Sequence, residues 1–254
     1  MESRHIKFLL DVGKKKPNNI LNKDTECPFC SRETLVDIID EEYPFILLEN
    51  KYTVLENSFQ TVLIETEDCD INMSMYEKDY MRRLLKFAIK HWISMERNEE
   101  YNSVIFFKNH GPYSGGSIKH SHMQIVGFKD IDYKELTVKE DFEGILIREA
   151  NGCILNLSTK PKSSFTEFNI IIEDLDNLDA MADTIQVITH YILNNYPVKC
   201  ESFNLFFYHL ENKIICKITP RFVSSPLFIG YGILLVSSNL NIMVEDIKRI
   251  YYSK

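Results

Sequence analysis

The stretch Lys108–Phe128 reads KNHGPYSGGSIKHSHMQIVGF and puts two histidines, one residue apart, between a glycine-rich run and a run of apolar residues. If residues 120 to 126 are extended, side chains two positions apart share a face, so His120, His122 and Gln124 point the same way. Three polar side chains behind an otherwise apolar strand are costly to bury without a partner. The stretch therefore predicts the wall of a cleft, although an exposed strand face without a function has the same pattern.

The glycines before the histidines favour a cleft that binds a ligand. Gly111, Gly115 and Gly116 fall within six residues of one another. Because glycine has no side chain, such a segment lets backbone amides come close to a phosphate group.

The composition is that of a globular protein. The chain has 254 residues, of which 44% are hydrophobic, enough for a sizeable core. The formal net charge of −8 comes from 37 acidic and 29 basic residues without a long basic block, which argues against a nucleic acid polymer or a membrane as partner. No segment approaches the roughly 18 apolar residues of a membrane span, so we expect a soluble cytoplasmic protein. Six cysteines without a secretory signal indicate thiols or metal ligands, not a disulfide framework.

Strand and helix patterns occur twice in the same order. The first half predicts strands over 44–56 and 59–67, a helix over 75–98, and strands over 103–109 and 122–128. The second half predicts a hairpin over 144–158 turned at Asn151-Gly152, a strand over 168–175, a helix over 178–195, and strands over 202–210 and 213–222. This repetition predicts an α+β protein built from a duplicated unit, with halves 1–135 and 136–254.

A CxxC motif, Cys27-Pro-Phe-Cys30, is the second chemical signal. Two thiolates at this spacing can bind one tetrahedral Zn²⁺, but they supply only two of four ligands. A redox dithiol is the competing interpretation, although that motif usually opens a helix after a strand, and plain structural cysteines are another. Candidates for the missing ligands are Cys69, at the end of a predicted strand, and His120.

Residues 109–124 resemble the active-site segment of galactose-1-phosphate uridylyltransferase, in the transferase branch of the histidine-triad superfamily. That family has Asn, Gly, Gly, Ser and then His-Pro-His-Gly-Gln at the same spacings. The resemblance extends to Cys27–Cys30, to Leu48-Glu-Asn50 on the family's uridine side and, more loosely, to residues 220–231. It implies a duplicated histidine-triad fold with antiparallel sheets and helices packed on them, and a covalent nucleotidyl-histidine intermediate.

The resemblance also implies roles for single residues. His122 would attack the α-phosphorus of a nucleotide-sugar or a related phosphoanhydride, Gln124 would hold a phosphoryl oxygen, and Ser117 would donate a hydrogen bond to a phosphate. Substrate-binding residues carried over by position are Asn50, Asn109, Gly111, Gly115, Gly116 and Arg221. Hydrolases of the superfamily have a third histidine where this chain has Gln124, which favours transfer or phosphorolysis over hydrolysis by analogy.

Zinc is the cofactor that the resemblance implies. In the family, the first histidine of the pair binds zinc with the CxxC sulfurs and with a further histidine after a strand. Cys69 stands where that further histidine would be. A set of Cys27, Cys30, Cys69 and His120 would close a tetrahedral Cys3His site, and such a zinc ion would be structural.

Departures from the family pattern leave the substrate open. Ser121 and Met123 replace the family's Pro and Gly, and Lys51 replaces an acidic residue after the uridine-side Asn. A phosphorylase or hydrolase of dinucleoside polyphosphates or nucleoside-diphosphate sugars fits nearly as well, and so does a catalytically idle, zinc-stabilised nucleotide-binding protein. A homodimer is compatible with the resemblance. The basic run Lys14–Lys16 is interpreted as a solvated arm.

Overall fold

The computed structural model describes residues 5–253 and places its strands in one antiparallel sheet. The strands are β1 (Ile38–Glu42), β2 (Phe45–Glu49), β3 (Ser58–Ile64), β4 (Ser103–His110), β5 (His122–Phe128), β6 (Gly144–Ala150), β7 (Cys153–Ser158), β8 (Phe168–Ile172), β9 (Phe203–Leu210) and β10 (Lys213–Pro220). Their order across the sheet is β1-β2-β3-β5-β4-β9-β10-β8-β7-β6.

This strand order contains the same unit twice. From the outer edge inwards, the first half runs β1-β2-β3-β5-β4 and the second runs β6-β7-β8-β10-β9, so the two units meet where β4 pairs with β9. Phe106 and Phe207 are directly opposite at this junction, and their rings stack 4.2 Å apart. The duplicated α+β fold is therefore confirmed. The exact division at residue 135 stays a prediction.

The two longest helices cover one face of the sheet. The helices are α1 (Leu10–Gly13), α2 (Lys78–Glu96), α3 (Leu178–Asn194), α4 (Pro226–Tyr231) and α5 (Leu240–Ile247). The apolar sides of α2 and α3 enter the main core, where Trp92 is fully buried and donates a hydrogen bond to Val104 O at 3.0 Å. Arg82 joins the two helices through two 2.8 Å hydrogen bonds to Asp183. Within residues 5–253, every helix is too short or too polar to cross a membrane.

The opposite face of the sheet carries His122 and Gln124, which were predicted to form the wall of a cleft. Ile46, Leu48, Val62 and Ile64 form a small apolar cluster there, and Phe29 and Leu35 from the N-terminal segment pack on it. His122 pairs with Ile64 and Gln124 pairs with Val62 in the β3–β5 ladder. Directly opposed residues share a face, so His122 and Gln124 emerge on the side that the N-terminal segment covers.

Two predicted strands are longer than the observed ones. The strand predicted over 44–56 ends at Glu49, because Asn50 Oδ1 accepts a hydrogen bond from Tyr52 N at 2.9 Å and turns the chain. The strand predicted over 59–67 ends at Ile64. Its last predicted residues leave the ladder, and Glu65 N donates instead to Ser121 O at 3.1 Å. Both corrections shorten strands and leave the order of elements unchanged.

Candidate functional site

A pocket of about 210 Å³ lies between the N-terminal segment and the centre of the first half. Six of the nine predicted catalytic and substrate-binding residues line it, namely Asn50, Asn109, Gly116, Ser117, His122 and Gln124. Its apolar wall comes from Phe29, Leu35, Val36, Leu48 and Val62. The pocket thus has an apolar side and a side of hydrogen-bonding groups, the usual form of a small-molecule site.

The imidazole of His122 is held in one orientation. Its Nδ1 lies 2.8 Å from His120 O, and because a carbonyl only accepts, Nδ1 carries the proton and donates. The neutral ring therefore keeps a lone pair on Nε2, which has no hydrogen-bond partner among the described residues. Burial lowers the pKa of His122 to about 4, and the nearby ammonium groups of Lys108 and Lys16 act in the same direction.

A buried ion pair supports the strand that carries His122. Lys108 and Glu65 are both fully buried and ion-paired, and Lys108 Nζ also donates to His122 O at 3.3 Å. Tyr76 donates to Glu65 Oε2 at 3.0 Å and Tyr80 donates to Glu65 O at 2.6 Å. Each charge has a partner, as a buried charge requires, and the network holds the backbone of His122 from the helix side.

The glycine-rich loop, residues 111–117, folds over one end of the pocket. Gly111 has φ of 81°, and a Cβ there would lie 2.1 Å from Glu201 O, so a side chain has no room. Gly115 has φ of 84°, a conformation that L side chains rarely adopt. Gly116 lines the pocket, whereas Gly111 and Gly115 shape the loop without lining it.

Arg221 lies away from the pocket. Its backbone amide donates to Ser202 O at 2.7 Å, and its Nε donates to Tyr113 O at 3.5 Å, at the outer side of the glycine-rich loop. It lines two other depressions in the second half of the chain. A role for Arg221 in substrate binding stays a prediction, and the structure does not bring it together with His122.

Lys16 lies in the pocket, although its basic run was interpreted as solvated. The N-terminal arm that contains Lys16 crosses the glycine-rich loop. At the crossing, Asn19 N and Ile20 N donate hydrogen bonds to Ser117 O at 3.0 and 3.3 Å. This crossing places Lys16 in the pocket lining, half-buried. Burial lowers the pKa of Lys16, and no carboxylate of the described chain forms an ion pair with it. Lys14 differs, because it is exposed and pairs with Asp11.

Cys27, Cys30, Cys69 and His120 form a cluster that could hold a metal ion. Their ligand atoms lie within 4.8 Å of one another. His120 Nε2 donates to Thr66 O at 2.7 Å, so the bare Nδ1 faces the sulfurs, 3.6 Å from Cys27 Sγ and 3.5 Å from Cys30 Sγ. In a tetrahedral zinc site, adjacent nitrogen and sulfur ligands are about 3.5 Å apart. The cluster is therefore compatible with zinc.

The thiols of the cluster change one another's pKa. Burial alone would raise the pKa of Cys27, but the contact with the His120 ring and a hydrogen bond from the Phe29 backbone lower the pKa to about 7. Burial raises the pKa of Cys69 to about 12, and the neighbouring Cys27 thiolate adds to this rise. Three thiolates this close repel one another unless a metal ion neutralises them.

Phe29 connects the cluster to the pocket. It lies between Cys27 and Cys30 in the sequence, and its ring makes edge contacts with His120 at 6.0 Å and His122 at 5.3 Å. The same ring is part of the pocket wall. An ion in the cluster would therefore fix one wall of the pocket as well as the start of β5.

Of the departures that leave the substrate open, Ser121 and Met123 point away from the pocket. Met123 is fully buried in the main core, and Ser121 is buried and donates to Ile71 O at 3.0 Å. Lys51 does line the pocket, close in sequence to Asn50. The change that bears on a ligand is therefore Lys51, which brings a cation where the family has an acid.

Comparison with known proteins places the chain in a family. Residues 8–131 match the N-terminal domain and residues 134–252 match the C-terminal domain of a domain of unknown function, DUF4931. The crystal structure of a DUF4931 family protein from Bacillus cereus is 45% identical, covers 86% of this chain and 100% of its own, and has a TM-score of 0.79. No curated protein matches the sequence.

More distant solved structures share the fold. A uridylyltransferase structure is 13% identical with a TM-score of 0.69, covering 88% of this chain and 90% of its own. An ADP-glucose phosphorylase from Arabidopsis thaliana with bound ADP-glucose is 19% identical with a TM-score of 0.69, covering 94% and 93%. The chain belongs to the DUF4931 family, and it shares its fold with the uridylyltransferase and the ADP-glucose phosphorylase, as the resemblance in its sequence implied.

Proposed function

We propose that this protein is a nucleotidyltransferase that acts on nucleotide-sugars or related phosphoanhydrides through a covalent nucleotidyl-histidine at His122. The observation that carries this proposal is the orientation of His122. Its Nδ1 donates a hydrogen bond to His120 O. Its Nε2 has no hydrogen-bond partner among the described residues and lies in a pocket that Gln124, Ser117 and Lys16 also line. A neutral imidazole with one free nitrogen is a nucleophile near neutral pH.

The reaction has two displacements. In the first, His122 Nε2 forms a bond to the α-phosphorus, the bond from phosphorus to the bridging oxygen breaks, and the sugar phosphate or nucleotide leaves with that oxygen. In the second, an oxygen of an acceptor phosphate attacks the same phosphorus and the bond to Nε2 breaks. Gln124 and Ser117 would donate hydrogen bonds to phosphoryl oxygens. The ammonium of Lys16 would balance the negative charge of these oxygens.

Transfer and phosphorolysis differ only in the acceptor of the second displacement. The fold is shared by a uridylyltransferase and by an ADP-glucose phosphorylase, which supports both reactions equally. A sugar phosphate as acceptor gives transfer, and inorganic phosphate gives phosphorolysis. The names of the two proteins refer to a uridine nucleotide and to an adenosine nucleotide, so the shared fold does not specify the base.

Intact-mass spectrometry tests the proposal directly. We expect brief exposure to uridine- or adenosine-diphosphate sugars, or to diadenosine polyphosphates, to add one uridylyl or adenylyl group to the protein. Inorganic phosphate or a sugar phosphate, added next, should remove it. A folded, metal-loaded protein that binds nucleotide but takes up no group from any of these donors would contradict the proposal and indicate a catalytically idle binding protein.

We propose Zn²⁺ as the ion of the Cys3His cluster. Three thiolates and one imidazole are the donor set that zinc prefers, and the nitrogen–sulfur distances of 3.5 and 3.6 Å support it. All four coordination positions would be filled by protein, so the ion would be structural and would not touch the substrate.

Lys16 offers a test that does not depend on turnover. We expect Lys16→Met to weaken the binding of ADP or UDP by about tenfold, because it removes an ammonium group that pairs with no carboxylate of residues 5–253 and would pair with a phosphate of the ligand. Isothermal titration calorimetry at two salt concentrations measures this loss, and the salt dependence should shrink in the variant. Lys14→Met is the matched control, since Lys14 is exposed and paired with Asp11. Equal losses in both variants would assign the effect to net charge alone.

An exposed apolar arm is a candidate surface for the homodimer that the resemblance allows. The arm comprises residues 223–236, and its exposed side chains are Val223, Leu227, Phe228, Ile229, Tyr231, Ile233, Leu234, Leu235 and Val236. Exposed apolar side chains concentrated in one segment are typical of an interaction site. The homodimer stays a prediction.

A further inference from the structure

The second half of the chain holds the glycine-rich loop of the first half. Ser202 Oγ accepts a hydrogen bond from Tyr113 N at 3.0 Å, and Arg221 Nε donates to Tyr113 O at 3.5 Å. Asn204, on β9, makes the most extensive of these contacts, because its Nδ2 lies 2.7 Å from Asn109 Oδ1 and 3.0 Å from Ser114 O. The loop beside the pocket is therefore anchored from a strand that lies outside the predicted catalytic half.

The contact between Asn204 and Asn109 also determines which end of the Asn109 side-chain amide faces the pocket. The two residues are directly opposite in the β4–β9 ladder, and Asn204 is 3% exposed. Because Asn109 Oδ1 accepts from Asn204, the other end of the Asn109 amide, Nδ2, is the end left for the pocket that Asn109 lines. Nδ2 can only donate, so the pocket there presents a donor and not an acceptor.

We propose that Asn204 is a positioning residue of the candidate active site, which orients the Asn109 amide towards an anionic group of the ligand and holds the glycine-rich loop closed over it. The ligand chemistry that this arrangement recognises is a phosphoryl oxygen, which can only accept. The proposal deepens the proposed function and rests on it for the identity of the ligand. The anchoring of the glycine-rich loop by Asn204 does not depend on the proposed function.

Substitution by aspartate reverses the hydrogen-bonding role of this side chain, from donor to acceptor, with little change of shape. Asn204→Asp keeps nearly the same side-chain shape, but the carboxylate that it introduces only accepts hydrogen bonds. Asn109 would then turn its Nδ2 towards that carboxylate and present Oδ1 to the pocket, where it repels a phosphoryl oxygen. Asn204→Ala removes the contact without imposing the wrong orientation. The expected order of affinity for ADP or UDP is therefore wild type, then Asn204→Ala, then Asn204→Asp.

Calorimetry with ADP and UDP measures this order. We expect a loss of about tenfold for Asn204→Ala, since two hydrogen bonds that organise the site are removed, and a further loss for Asn204→Asp. In the Asn109→Ala background, Asn204→Ala should lose most of its effect, because Asn204 acts largely through Asn109. Equal affinities of wild type and both variants would overturn the proposal, and so would additive effects in the double variant.

Asn169 provides the matched control. It is a fully buried asparagine on β8 whose Nδ2 donates to another asparagine, Asn156 Oδ1, at 2.8 Å. Asn169→Ala removes a similar buried contact in the same half of the chain, two strands away from β9. We expect it to lower the melting temperature without changing nucleotide affinity. The same loss of affinity in Asn169→Ala would reduce the role of Asn204 to stability.

Hydrogen–deuterium exchange keeps this test separate from the proposed function. Without any ligand, exchange of the amides in residues 111–117 should speed up in Asn204→Ala and stay unchanged in Asn169→Ala. If wild type binds neither ADP nor UDP, the proposed function fails, while faster exchange in the loop would still support the anchoring role of Asn204. Unchanged exchange in the Asn204→Ala loop would overturn that role whatever the ligand.

Discussion

The His122→Asn variant is expected to form no nucleotidyl adduct and to lose turnover by at least about 10⁴-fold, because it removes the nitrogen that attacks phosphorus. Asparagine is the informative replacement. Its side-chain NH2 can occupy the place of Nδ1 and keep the hydrogen bond to His120 O, which is 2.8 Å long in the native protein. The variant thus deletes Nε2 while keeping the start of β5 anchored.

His110 supplies the control for this substitution. It lies on the neighbouring strand, stacks on Phe203 with 4.6 Å between ring centroids, and does not line the pocket. Burial lowers its pKa to about 3, so its ring is also neutral near pH 7. His110→Asn should therefore leave adduct formation intact. An adduct on His122→Asn, found by mass spectrometry on a folded sample, would place the nucleophile elsewhere and remove the main support for the proposed reaction.

The order of strands and helices was predictable because periodicity is a local property. The turn at Asn151-Gly152 is an example, since both residues have positive φ, 52° and 69°, as a tight hairpin requires. Strand β1 was missed because Ile38–Glu42 is acidic and has an almost uniformly exposed pattern without alternation. Helix α5 was also missed, although Met243, Val244 and Ile247 are buried at helical spacing and provide a signal.

Sequence patterns could not predict the contacts between segments that are distant in the chain. The pairing of β4 with β9 joins segments far apart in the chain, and it decides that the halves form one sheet and that Asn204 reaches Asn109, 95 positions away. Lys16 was misjudged for the same reason, because a lysine run has the same appearance whether the arm is solvated or crosses a loop.

Lys108 shows that a usable signal was present near the site. Along β4, Val104, Phe106 and Lys108 alternate on the face that enters the main core. A lysine in that register has to be buried with a carboxylate, which the structure identifies as Glu65. Alternation therefore predicts the need for a partner, but the identity of the partner depends on the fold.

The metal cluster leads to the second large effect, on stability. We expect Cys69→Ser to lose most of its bound zinc and to melt roughly 6–12 °C below wild type, corresponding to a loss of about 3 kcal/mol. The physical reason is that an ion in the cluster would cross-link three distant segments, the CxxC turn, the chain after β3 and the residues just before β5. Elemental analysis and thermal unfolding, with and without a chelator, measure both quantities.

Cys153→Ser is the control, since Cys153 is buried on β7, contacts Thr184 and lies outside the cluster. It should keep the metal content of wild type. Cys69→His is the rescue, because imidazole is also a zinc ligand, and most of the zinc and of the melting temperature should return with it. Unchanged zinc and melting temperature in Cys69→Ser would show that Cys69 is not a ligand.

The same variants connect the metal to the pocket. Phe29 lies between two of the ligands and forms part of the pocket wall, in contact with His122. If the zinc ion holds Phe29 in place, Cys69→Ser should weaken the binding of ADP or UDP even below its own melting range, and Cys69→His should restore it. Full affinity in a stable, zinc-free Cys69→Ser protein would mean that the ion stabilises the fold without shaping the site.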